Sequence, residues 1–171
     1  MARSATSGAT TSTVPSGQDV VLAADGLGVV TFGGEAGLVL TELATRLGPP
    51  TDDSPLSSCP RGEIDRVVQF AELSVLVATA GGVERFVAWD LGPPSGALPR
   101  LATAEGISVG ASLDRLRVAY GTRLELLLGD PFGPGFEIEV ASGDRLGGTL
   151  TGSGDTDTVA TISAGSASCA A

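Results

Sequence analysis

Carboxylates are the chemically capable groups this chain has in quantity. Twenty Asp and Glu stand against ten Lys and Arg, and His is absent. All ten cations are Arg, because Lys is missing too. Without His, no Ser-His-Asp or Cys-His arrangement can be assembled. Without Lys, no Walker-type phosphate loop can form. What remains for catalysis is a pair of acids, which suffices for glycosidase-type chemistry. Glu137 and Glu139 sit two apart, as do Glu63 and Asp65. That spacing on an antiparallel strand also describes an ordinary solvated face, and this is the expected role. Asp155 and Asp157 lie in a Gly-rich turn, where oxygen ligands at such spacing can hold calcium. A third acid and a distal Glu are missing there, so a hairpin turn with two wet Asp is expected. The reading is of a non-enzyme with no catalytic residue, no metal and no cofactor.

The two cysteines are the next reactive pair. Cys59 lies in the polar stretch Leu56-Ser57-Ser58-Cys59-Pro60, and Cys169 lies near the end in Ser166-Ala167-Ser168-Cys169. Both settings are loops rather than apolar runs that would bury a thiol. Two such thiols in an export-type chain most simply bond to each other. A zinc site would need four ligands. The bridge would close a loop of about 110 residues, worth about 4–5 kcal/mol in the chain-entropy model.

Recognition residues are sparse. Trp89 is the single Trp. On a strand it would share a face with Arg85, Val87 and Leu91, as core packing or as a surface anchor for a partner. Asp52 and Asp53 mark an acidic loop. Trp89, Asp52 and Asp53 are therefore the candidate partner contacts.

These residues need a scaffold, and the composition supplies one. The chain has 171 residues, 42% of them hydrophobic but only 4% aromatic, so its core must be aliphatic. The net charge is −10, with the acids spread along the chain. No basic cluster is available to displace counterions from phosphates, so nucleic acid is not an expected partner. No run of about 18 apolar residues encodes a membrane span. Residues 1–18 are Ser, Thr, Ala and Gly with little else, the composition of a flexible, disordered tether. An export signal or lipid anchor upstream of this numbering would suit such a tether.

The positioning elements are legible as two halves, residues 19–96 and 97–171. The first opens with a strand candidate at 19–24, followed by the run 26–33 and a helix at 36–47. Val39, Leu43 and Leu47 recur every four residues on it, and Gly48 with Pro49 and Pro50 stops it. A loop at 51–62 precedes strands at 64–70, 73–79 and 84–91, with Gly81-Gly82 as a hairpin signal. The linker 91–96 follows. The second half repeats the order. Ile107-Ser108-Val109-Gly110 parallels Val30-Thr31-Phe32-Gly33, and Ser112 caps a helix ended by Gly121. Leu113, Leu116 and Tyr120 share its apolar side. Strands are expected at 122–128, 136–140, 146–151 and 158–163. The fold class is α+β: two related helix-plus-antiparallel-meander halves.

The run Thr103-Ala104-Glu105-Gly106-Ile107-Ser108-Val109-Gly110-Ala111-Ser112 resembles conserved secreted proteins and lipoproteins of high-GC Gram-positive bacteria. Leu27-Gly28, Phe32-Gly33, Leu47-Gly48-Pro49, the acidic loop, Cys59 and Phe86-Val87-Ala88-Trp89 carry the same likeness through residues 25–169. More distantly, the doubled helix-and-meander unit looks like the tandem β-lactamase inhibitory proteins and the SmpA/OmlA-type lipoproteins. Those relatives bind proteins and do not catalyse. The resemblance implies a non-catalytic, extracytoplasmic binding or scaffold module at the cell envelope, using a sheet face or the loops around 51–60. A carboxylate-dependent hydrolase of envelope glycans is the alternative, and a small-ligand carrier a third.

Overall fold

A computed structural model describes residues 20–28, 30–56, 64–98, 100–129, 133–140 and 143–165. The tether 1–18, Cys59, Cys169 and Glu63 lie outside the described residues, and with them the disulfide expectation. The chain is α+β with two short helices and a mostly antiparallel sheet. A small three-stranded sheet comes first, from β1 (Leu22–Ala23), β2 (Gly26–Leu27) and β3 (Val30–Thr31). Then follow α1 (Ala36–Leu47), β4 (Asp52–Pro55), β5 (Arg66–Phe70), β6 (Leu73–Ala80) and β7 (Val83–Leu91). The second half supplies α2 (Leu113–Tyr120), β8 (Leu124–Leu127), β9 (Gly135–Glu139), β10 (Arg145–Thr149) and β11 (Ile162–Gly165).

Eight strands form one sheet in the order β4-β5-β6-β7-β11-β10-β9-β8. Each half thus contributes a helix and four strands, and the last strand of each, β7 and β11, joins them antiparallel. The apolar residues of alternating strands line up in register across this sheet. Val68, Val75, Trp89, Ala164, Leu146 and Ile138 form one row on the inner face, all buried. Val39 and Leu43 of α1, Leu113 and Leu116 of α2, and Leu22 and Leu27 of the small sheet belong to the same core. A single core therefore spans the 96/97 boundary, and both helices cover one face of the sheet.

The helices start the way their sequences dictate. The Ser112 hydroxyl accepts from the Arg115 amide at 3.3 Å, an N-cap with Asp114 in the first turn. Before each helix the backbone makes the same pair of bonds. The Gly33 amide donates to the Phe86 carbonyl and the Phe86 amide to that of Gly34. In the second half the Gly110 amide donates to the Val159 carbonyl, and the Val159 amide to that of Ala111. Gly33 and Gly110 take nearly the same left-handed φ, 81° and 85°. Phe32 and Val109 precede them, both half-buried against the core.

Several expectations need correction. The segment 51–62, read as a loop, contains edge strand β4, paired with β5 from Asp52–Gln69 to Pro55–Arg66. Its Asp-Asp-Ser-Pro sequence has poor strand propensity, and pairing on one side only tolerates Pro55. The last strand begins at Ile162 rather than 158; Thr158 and Val159 instead bridge to Ser112 and Leu150. The strand expected at 122–128 spans Leu124–Leu127, and Leu128 beyond it is 55% exposed. Among the described residues, no helix is long and apolar enough to cross a membrane.

Candidate functional site in the outer sheet face

The face of the eight-stranded sheet turned away from the helices carries a row of its own. On the first half it runs Asp52, Gln69, Ser74, Asp90, each opposite the next on the neighbouring strand. It continues across the joint through Ser163, Gly147, Glu137 and Glu125. Period-two alternation explains the row: each member is a sequence neighbour of a residue that points inward. Asp90 follows buried Trp89, and Glu137 follows buried Phe136.

Asp90 occupies the middle, between Ser74 and Ser163. These small neighbours open a groove of about 570 Å³. Leu56, Val67 and Leu76 line it from the first half; Leu127 and Phe136 line it from the second. Gly147, the member of the row on β10, keeps the second half low, and its neighbour Gly148 faces inward, where a Cβ would lie 2.1 Å from the Thr161 carbonyl oxygen and 2.8 Å from the Phe136 ring. The Asp90 carboxylate makes no hydrogen bond or ion pair with any described residue. The residue is open to solvent from above, yet the atoms around its carboxyl desolvate it and push its pKa above the ordinary 3.8.

That shift has a definite sign. Above its raised pKa, Asp90 is charged in both states and its desolvation opposes folding. Below 3.8 it is neutral in both, and the penalty is gone. Asp90→Asn is therefore expected to raise Tm at pH 7, with the gain vanishing as pH falls below about 3.8. Melting curves across pH 3–8 check this; a gain that persists unchanged at pH 3 would place the effect elsewhere.

Several of the other acids are engaged. Glu137 is ion-paired with Arg145. Asp53 is gripped by Arg66 through two bonds of 2.7 Å, and Arg66 also reaches Glu84 at 2.8 Å. The Arg66 hydrogen bonds hold the Asp53 carboxyl below the usual range. This clamp fastens edge strand β4 to β5. Its small, solvent-screened contribution is present above the ordinary 3.8 and is lost as pH falls through Asp53's lowered pKa. Asp52 accepts from Ser54 at 2.7 Å. Asp157 accepts from the Gly154 amide at 2.8 Å and from Thr151 at 3.1 Å, while Asp155 pairs with Arg117. These two acids therefore build a turn, and no three metal-ligating side chains cluster among the described residues.

Trp89 is not a surface anchor. It is fully buried, and its Nε1 donates to the Ala23 carbonyl at 3.1 Å. Nor does it share a face with Arg85 and Val87. A bulge opposite Leu76/Val77 leaves Val87 unpaired and reverses the alternation there. Of the three candidate contacts, only Asp52 joins the outer row. Asp90 was missed, although a lone acid between Trp89 and Leu91 in an apolar strand signals an outward position. Asp90 and Glu137 stand three strands apart, about 14 Å at Cα.

Comparison with known protein families, curated proteins and solved structures returned no match. The class is thus defined by the fold itself: an α+β protein whose eight-stranded antiparallel sheet carries both helices on one face.

Proposed function

We propose that this chain is a non-catalytic, extracytoplasmic binding module of the bacterial cell envelope, and that it binds a protein partner through the outer face of the eight-stranded sheet. One observation carries the reading. Asp90, desolvated and without a counter-charge among the described residues, sits between two small residues in an apolar-walled groove. An acid without a counter-charge, reached from solvent at the floor of such a groove, is suited to receiving a cation. Asp52 and Glu125 extend the same sign along the row, and the chain as a whole carries −10. The fitting partner presents Arg or Lys amid apolar side chains. The resemblance to secreted proteins and the polar settings of Cys59 and Cys169 support an envelope location.

The test is capture from envelope extract with immobilised protein and three variants. Asp90→Arg and Ser163→Arg alter the groove, whereas Asp114→Arg alters exposed α2. A protein retained by wild type and Asp114→Arg, but lost from both groove variants and at high salt, is expected. Equal retention by all four would overturn the reading. A carboxylate-dependent hydrolase of envelope glycans is the alternative function. It gains little support here, because such enzymes hold their two carboxyl groups within about 5–9.5 Å. Release of reducing sugar from envelope glycan, lost in Asp90→Asn, would favour it.

A further inference from the structure

We infer that a second site, on the opposite side of the molecule's midline strand, takes a small monocarboxylate with an apolar tail. It is a cavity of about 420 Å³ beneath the segment that connects the halves. Leu91 and Leu101, both buried, and the half-buried Leu98 and Val109 give it apolar walls. Arg100 stands at its edge, and the head of that side chain is held. Its Nε donates to the Ser108 hydroxyl at 2.6 Å, and Ser108 is only 2% exposed.

Arg100 is an exposed residue; fixing its Nε orients the guanidinium plane, and both Nη groups have no acceptor among the described residues. A planar fork with two free N–H edges matches a carboxylate in bidentate fashion. A buried serine spent on aiming an arginine has no evident use in folding alone, because an apolar residue would fill the same space without needing a partner. Glu72 lines the cavity as well, its carboxylate accepting from Ser95 at 2.6 Å. That negative charge disfavours a second carboxylate on the ligand, so the class is mono- rather than dicarboxylic. The tail lies against Leu91, Leu98, Leu101 and Val109, where it leaves water.

The site shares no lining residue with the Asp90 groove, so the two proposals fail independently. The experiment is a titration of the full chain with sodium octanoate, followed by amide NMR shifts and calorimetry, with octylamine and 1-octanol as controls. Saturable octanoate binding is expected, with shifts centred on residues 91–109. Arg100→Gln should weaken it at least tenfold, and Arg100→Lys by an intermediate factor, with Tm unchanged in both. Ser108→Ala should weaken binding less, by loosening the aim of the fork. Octanoate that does not saturate, that shifts other regions instead, or that binds Arg100→Gln as well as wild type would overturn the inference. Equal affinity for 1-octanol would overturn it too, by showing an apolar cavity without carboxylate recognition.

Discussion

Trp89→Ala is expected to destabilise the protein by about 3–5 kcal/mol, the range for removing a buried large aromatic. Three losses combine at this position. The indole leaves a void in the inner row between Val75 and Ala164, its cross-strand neighbours. Both neighbours are buried, so the surroundings can collapse only partly. The bond from Nε1 to the Ala23 carbonyl, 3.1 Å long, is also lost, which loosens the small sheet from the large one. Trp89→Phe separates the terms. It keeps most of the ring and removes the donor, so it should fall well short of the alanine variant. Urea unfolding of the three proteins gives the measurement. An alanine variant within about 1 kcal/mol of wild type would contradict the burial.

The second large effect concerns the helices. Leu43→Ala and Leu116→Ala should each destabilise by about 2–5 kcal/mol. Both side chains are fully buried, one on each helix, in the same core. Their loss should be felt in one cooperative transition, because the core is continuous across the halves. Glu139→Ala, on the outer face, should shift stability by no more than about 0.5 kcal/mol. Two separate transitions in either leucine variant would show that the halves unfold independently.

The fold was legible where local physics decides. The period of Val39, Leu43 and Leu47, closed by Gly48, marked α1 with its observed bounds. The Ser112 cap and Gly121 did the same for α2. Gly81-Gly82, both at positive φ, marked the turn between β6 and β7. Strand β4 was not legible, because Asp52, Asp53 and Pro55 have little intrinsic strand preference. It forms by pairing with β5, reinforced by an arginine thirteen positions away in sequence. Trp89 was assigned the wrong face-mates, because a bulge changes the period without changing the composition.

The site divides along the same line. From sequence alone follow the missing His and Lys, the excess of acid, the two helices and most of the strands, since each depends on residue type or on neighbours a few positions away. Only the tertiary structure decided that β7 lies beside β11, whose residues pair with it across 71 to 77 positions of the chain. That pairing sets Ser163 beside Asp90, opposite the Ser74 that the β6–β7 hairpin already supplies, and carries the polar row across to Glu137. Likewise, only the folded chain brings Arg100 and Ser108, eight positions apart, within 2.6 Å at the edge of the cavity that Leu91 also lines. Alternation fixes which face a residue takes. Register and strand order, set by how two apolar faces bury each other around one core, fix which residues meet.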